Sequence, residues 1–352
     1  MSRTKKLVFT LLAVVLCLLV SSVIAELMLR HFKINATWME VNCGRYASPY
    51  RMKIREPWIL DTGVNWKSAF NQQEFNIPFS TNGEGVRDIV HPVKKAKGEF
   101  RVVALGDSFT MGQGAELEES WPKVLESLLK EKCGLNARVI MGGVAGSDPV
   151  FAYQLLKRRL LKYGPDLIIL QFNGSDYNDI IARGGMDRFD GKGQLKNDRG
   201  PSYEWLWQYS FLFRLIMIEL MDCDSGLLIT SEEYKRRGKE VMQIMDKTIM
   251  QYQELAKEHK ARLLVVLQPH MYQLKSENSR RDFAPFVKKM KDKGIPAMDL
   301  YPFFRNKIAP NDEKALREYY WPMDRHFKAK GYSLMASGIL EEMARRGYVT
   351  KR

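Results

Sequence analysis

The chain has 352 residues, 45% of them hydrophobic, and a formal net charge of +14 at pH 7. That length holds one large α/β domain with additions, or two domains, and the ordinary composition without repeats excludes a disordered, fibrous or solenoid chain. The positive excess suits anionic phospholipid or acidic polysaccharide; its scattered Lys and Arg, with no zinc-finger, helix-turn-helix or RNA-binding signature, argue against nucleic acid as a partner.

Residues 1–6 carry Arg3, Lys5 and Lys6, and residues 7–25 follow with no charge in nineteen positions. That run is long enough to cross a bilayer as a helix. The positive residues ahead of it predict a cytoplasmic N-terminus with the rest exported. The expected location is therefore the cytoplasmic membrane, single-pass, with the domain on the periplasmic side. Val23 and Ala25 also suit a small-residue cleavage site, so a cleaved signal peptide is the competing expectation. The run exceeds a usual signal core and Glu26 to Arg30 continue it as a helix, which makes residues 1–30 an anchor.

Residues 31–100 show little periodicity and read as an extracytoplasmic stalk and packing arm, closing on the turn cluster Asn82 to Arg87. From residue 101 strands and helices alternate. Strands are predicted at Val102–Leu105, Arg138–Met141, Leu167–Phe172, Leu263–Leu267 and Ala297–Leu300. Helices are predicted at Trp121–Lys132, Pro149–Tyr163, Glu232–Lys260, Arg281–Lys293 and Lys330–Arg346. Near-continuous apolar strands joined by helices imply a parallel sheet covered on both faces, in a domain over residues 101–346.

An insertion, residues 181–231, interrupts the alternation. A polar loop leads into residues 204–220, whose Glu204, Arg214 and Glu219 argue against a second membrane span. A helix packed over the site is predicted there, a membrane-dipping lid being the other reading. The four cysteines, Cys17, Cys43, Cys133 and Cys223, lack metal-ligand spacing, and no metal or cofactor is called for.

The chain is organised around Arg101 to Gly114, RVVALGDSFTMGQG, which reads as a buried strand, a tight turn and a helix. Such a turn stands at the carboxyl end of its strand, where open α/β sheets place their ligands. An activated Ser108 needs a base and an orienter for that base. Five histidines are available: His31 beside the apolar segment, His91 in the arm, His259 at the end of a charged helix, His270 after the fourth strand, and His326. Asp324 stands two residues before His326, just ahead of the last helix. Folded into a loop, its carboxylate accepts from one imidazole nitrogen while the other faces Ser108. His270, on the same sheet edge, is expected to line the pocket.

Gly106-Asp107-Ser108, a glycine after the second strand, a polar block after the third and Asp324-x-His326 together resemble the SGNH (GDSL-type) hydrolases. The context ALGDSFTMGQG, with Glu119 to Leu125, is similar to the membrane-anchored bacterial branch. The four blocks fall in the right order over about residues 80–345. The resemblance implies a three-layer α/β/α sandwich around a parallel five-stranded, flavodoxin-like sheet, and ester hydrolysis or acyl transfer through an acyl-serine. It makes Ser108 the nucleophile and first oxyanion donor, Gly146 the second donor, His326 the base and Asp324 its orienter. The chain has Asp-x-His where Asp-x-x-His is common. Register from the strand places Ser175 where the family carries an asparagine as third donor, Asn173 or Asn178 taking that role if the loop is shifted.

The leading functional reading is a membrane-anchored extracytoplasmic serine esterase or acyltransferase acting on O-acyl groups of a polysaccharide. Its partners would be an acidic or acylated glycan and, for transfer, a membrane protein donating the acyl group. A lipase or lysophospholipase with residues 204–220 as a lipid-facing lid is the second reading. A catalytically weak glycan-binding subunit is the third. Gly-x-Ser-x-Gly is absent around Ser108, no P-loop exists, and Gly112-Gln-Gly114 lacks the third glycine of a dinucleotide fingerprint.

Overall fold

The computed structural model describes residues 2–37, 40–41, 44, 46–50, 65–66, 74–77, 79–190, 200–275, 284–309 and 311–351. Outside them lie Cys43, much of the expected arm, part of the polar loop of the insertion, and the first three residues of the helix predicted at 281–293. The chain folds as two compact units, residues 1–51 with 198–238, and residues 52–197 with 239–352.

The second unit is built on five parallel strands, β3 (Glu99–Gly106), β4 (Asn136–Gly143), β5 (Leu167–Phe172), β6 (Arg262–Leu267) and β7 (Ala297–Asp299), in the order β4-β3-β5-β6-β7. Two shorter strands before them, β1 (Asn65–Trp66) and β2 (Phe79–Ser80), pair antiparallel. Val102 to Leu105 and Ile168 to Leu170 are fully buried on both sides of the pleat, which is why these strands read as unbroken apolar runs. One sheet face packs on Trp121–Cys133 and Ala329–Arg345 in a core that takes in Val102, Ala104, Val139, Ile169 and Leu264. The three-layer α/β sandwich and its five parallel strands are as the sequence implied. Because β3 lies between β4 and β5, the strand order reverses beside it, and the carboxyl ends of strands at such a reversal are where open α/β sheets bind ligands.

Most elements match the predicted ones to within a residue or two at each end. The helix predicted at Pro149–Tyr163 differs in kind. It is α-helical only to Leu155, widens into a π turn at Leu156–Leu160 and tightens to a 3-10 turn at Leu161–Tyr163. It ends, as the sequence predicted, at Tyr163 before the left-handed Gly164, and the carbonyl of Tyr163 accepts from Nη1 of the fully buried Arg101 at 2.7 Å. Before the sheet, Arg87 donates to the carbonyls of Met111, Gly112 and Ala115. The buried Asp88 binds His91, Lys123 and the N–H of Met141.

In the first unit, Arg3–His31 is one helix, its apolar side chains exposed over residues 7–24 and Leu29 buried. The segment predicted as one helix over 204–220 is two, Glu204–Tyr209 and Phe211–Met221, broken at an extended Ser210. The cause lies far away in sequence. Glu26 accepts from the N–H groups of Phe211 and Leu212 and from the Ser210 hydroxyl, so a carboxylate from the N-terminal helix caps the second helix. Within its own unit this segment is held by Glu26, Arg30, Asn35, Glu40 and Tyr46.

Candidate active site

Strand β3 ends in Gly106, where an added Cβ would stand 2.2 Å from Gln171 Oε1 and 2.3 Å from Thr110 Oγ1. Only glycine lets the chain turn so close to β5. Asp107 then caps the one-turn helix Ser108–Met111, its Oδ1 accepting the Phe109 N–H at 2.9 Å. Gly143 at the end of β4 allows that turn to seat, since a Cβ there would meet the Met111 nitrogen at 2.2 Å. The sequence led to a helix starting at Trp121; the structure adds this turn, which Ser108 itself opens.

Ser108 Oγ lies 2.6 Å from His326 Nε2, although 218 positions separate them, and His326 Nδ1 lies 2.5 Å from Asp324 Oδ1. Since Asp324 accepts, Nδ1 carries the hydrogen and Nε2 offers its lone pair to the Ser108 hydroxyl. A tight loop makes the short Asp-x-His spacing work. Tyr320 and Phe327 pair antiparallel, the Trp321 N–H donates to the His326 carbonyl, and the Arg325 N–H donates to the Trp321 carbonyl. Arg325 is left-handed, φ 69°, which turns Asp324 and His326 side chains toward each other across one residue. The His326 ring lies on Phe109, centroids 4.5 Å apart. Gln113 Nε2 donates to the other Asp324 oxygen at 3.1 Å, and Glu74 accepts the N–H groups of Met323 and Asp324 at 2.9 and 2.7 Å. Neither Gln113 nor Glu74 stood out in the sequence, and nothing in their neighbourhoods marks them.

The loop after β4 carries Gly146, left-handed at φ 72° and exposed. It is tied to the nucleophile's turn by the Gly106 carbonyl, which accepts from the Val144 N–H at 3.1 Å and the Ser147 hydroxyl at 3.0 Å. Arg183 Nη1 donates to the Gly146 carbonyl at 2.6 Å and to Asp179 Oδ1 at 2.9 Å. The N–H groups of Ser108 and Gly146 donate to no protein acceptor among the described residues, so both are free to bind an oxyanion.

After β5 the three candidate donors separate. Asn173 caps the helix Gly174–Arg183 in a capping box with Asp176, a signature legible in the sequence as Asn-x-x-Asp. Its Oδ1 accepts from the Ser175 N–H and hydroxyl, both at 2.8 Å, and from His270 Nε2 at 2.6 Å. Its Nδ2 donates to Asp107 Oδ2 at 2.9 Å. The Ser175 hydroxyl is thus turned onto Asn173, and Asn178 is exposed further along the helix. Asn173 is the one of the three joined to the turn that bears Ser108. His270 lines this side as expected, edge-on to Phe109 at 5.7 Å, but its Nε2 serves Asn173 while His326 serves Ser108.

Burial pushes the Asp107 carboxyl above the usual range against the pull of the Phe109 and Asn173 donors. Burial and the Asp107 charge push Asp176 well above it. Burial raises Asp179 to about 6, opposed by the Arg183 guanidinium. Chemically, the arrangement provides a hydroxyl with a base in hydrogen-bond reach, an oriented base, and the N–H groups of Ser108 and Gly146 without a protein acceptor among the described residues.

The pattern of the family described as GDSL-like Lipase/Acylhydrolase matches residues 104–334. An arylesterase of Vibrio mimicus is 30% identical over 76 residues, 22% of this chain and 38% of that protein, so the chain spans well under two thirds of that curated relative's length. Among solved structures, a lipolytic protein of the G-D-S-L family from Desulfitobacterium hafniense is 16% identical with a TM-score of 0.39, covering 69% of this chain and 98% of that one. A two-domain esterase active on acetylated mannans is 15% identical with a TM-score of 0.43, covering 73% of this chain and 52% of that one.

Proposed function

The chain belongs to the GDSL-like lipase/acylhydrolase family, and we propose that it is a serine esterase or acyltransferase working through an acyl-serine. In this reading residues 7–25 hold it in the cytoplasmic membrane, with the catalytic residues on the extracytoplasmic side and O-acyl groups of an acidic polysaccharide as substrate. The observation that carries the chemistry is the unbroken hydrogen-bond chain from Ser108 through His326 to Asp324, at 2.6 and 2.5 Å. The glycan reading rests on the net charge of +14, which draws a polyanion.

Ser108 Oγ attacks the ester carbonyl as His326 Nε2 takes its proton, and Asp324 stabilises the imidazolium that forms. The carbonyl oxygen becomes an oxyanion between the Ser108 and Gly146 N–H groups, whose donors cost no reorganisation because the surrounding bonds already hold them. His326 returns the proton to the leaving alcohol oxygen, leaving acyl-Ser108. A second hydroxyl, from water for hydrolysis or from an acceptor for transfer, then repeats the sequence in reverse.

A fluorophosphonate probe applied to membranes bearing the full chain tests this. Labelling on the Ser108 peptide that disappears in Ser108→Ala supports the reading, and equal labelling of that variant sinks it. Proteolysis of intact and lysed cells tests the topology: a domain cleaved from outside and a retained N-terminal segment are expected, and a mature N-terminus at Glu26 would overturn the anchor.

A further inference from the structure

The two helices of the insertion bury the one cation they carry. Arg214 is fully buried. Its guanidinium donates to both oxygens of Glu40 at 2.6 and 2.7 Å, and to the carbonyls of Trp207, Asn35 and Gln208. Phe211 lies 4.3 Å from it. The outward side of the same two helices carries Trp205, Tyr209 and Leu220, 61%, 66% and 77% exposed, with Ile216 and Met221 also exposed. Glu219 is the one carboxylate on the exposed side of the second helix. A helix facing water turns its cation out and its apolar stripe in. This pair buries its cation and leaves five apolar side chains exposed, and apolar side chains left exposed together on one element mark a contact with something apolar.

The position of the pair says what that is. Glu26 caps the second helix through Ser210, Phe211 and Leu212, and Arg30 pairs with Glu26 while donating to the Tyr209 carbonyl. Glu26 follows directly on the uncharged residues 7–25, part of a helix whose most apolar window has a mean hydropathy of 3.0 and no buried side chain. Nineteen helical residues are about 28 Å long, close to the hydrocarbon thickness of a bilayer. The junction of the helix pair, bonded to Glu26 at Ser210, Phe211 and Leu212, therefore lies at the level where hydrocarbon gives way to head groups. Trp and Tyr are the side chains favoured at that level, where an apolar ring and a polar edge are both satisfied.

Resting on the anchored reading above, we propose that the helix pair Glu204–Tyr209 and Phe211–Met221 is an interfacial membrane element. Its Trp205, Tyr209, Ile216, Leu220 and Met221 side chains enter the head-group boundary of the bilayer that the N-terminal helix spans. The element gives the N-terminal helix a second hold on the membrane and fixes the direction in which the chain leaves it.

The test uses the unmodified full chain in phosphatidylcholine and phosphatidylglycerol vesicles containing a diazirine phospholipid, with the photoreactive group near the head group in one set and deep in the acyl chain in another. After irradiation, adducts are mapped by mass spectrometry. Head-group-proximal adducts in the 204–221 peptide and deep adducts in residues 7–25 are expected. Trp205→Asp combined with Leu220→Asp should lower the adduct yield in that peptide while leaving residues 7–25 labelled. Labelling of residues 7–25 with none in 204–221 overturns the interfacial element and leaves the anchor standing. No labelling of residues 7–25 overturns the anchor, and this inference with it.

Discussion

Arg183 donates from Nη1 to the carbonyl of Gly146 at 2.6 Å, while the same nitrogen donates to Asp179 at 2.9 Å. A residue on the helix after β5 thus holds the loop after β4 that carries Gly146, the second oxyanion donor of the proposed mechanism. Arg183 touches no reacting atom in this arrangement and acts as a positioning residue. Arg183→Leu should lower kcat on p-nitrophenyl acetate by about tenfold to a hundredfold, somewhat less than the loss of a donor itself, with KM little changed and partial rescue by Arg183→Lys. A change confined to KM, or to thermal stability alone, would refute the positioning role.

The Asp179 carboxyl sets a pH dependence. Its value in the folded protein, about 6, lies above the ordinary 3.8, so between those values the folded state binds more proton than the unfolded one. This group therefore makes stability fall as pH rises through the window from 3.8 to about 6. Asp179→Asn removes that term. The stability of the variant relative to wild type, from urea midpoints at successive pH values, should rise across the window. A relative stability that is flat or falling there would show that burial does not raise this carboxyl.

Ser108→Ala, His326→Ala and Asp324→Ala should each cut ester turnover by about a thousandfold or more with the fold retained. The double and triple variants should be scarcely worse, because the three act as one unit. His270→Ala should lose far less, since Asn173 Oδ1 still accepts from Ser175. If His270→Ala abolished activity and His326→Ala spared it, the base would be His270.

Asn173 and Ser175 should separate sharply. Asn173→Ala removes the donor to the buried Asp107, leaving that oxygen unpaired at a cost of about 1–3 kcal/mol in stability, and disturbs the turn that bears Ser108. Ser175→Ala leaves the Ser175 N–H bond to Asn173 in place and should change turnover by no more than a few-fold. A large turnover loss in Ser175→Ala with Asn173→Ala unaffected would make Ser175 the third donor after all.

Arg325 is left-handed between the two side chains it brings together. A β-branched residue resists that conformation by about 1–2 kcal/mol, so Arg325→Val should reduce both stability and kcat, while Arg325→Gly should keep the fold and most activity. Equal behaviour of the two variants in a thermal melt and an esterase assay would remove the conformational argument.

Much of this protein was determined locally. Four buried residues, Val102 to Leu105, followed by Gly-Asp-Ser specify a strand and a tight turn whatever the rest of the chain does, and the alternation after them specifies a parallel sheet. Asp324 one residue removed from His326 needed only a short loop to become its partner. The uncharged stretch 7–25 was equally plain, because length and hydropathy are properties of a segment alone.

Tertiary structure decided what depends on partners far apart in the chain. The register of β5 placed Ser175 at the family's asparagine position, yet the side chains there were settled by Asp107 and His270, which draw Asn173 into the network and leave Ser175 turned onto it. The break at Ser210 was decided by Glu26, 184 positions away, where propensity favoured one continuous helix. Gln113, Glu74 and Arg183 are ordinary residue types in ordinary surroundings. They became supports of the site only when folding brought one carboxamide, one carboxylate and one guanidinium within hydrogen-bond distance of groups that the local sequence left unsatisfied.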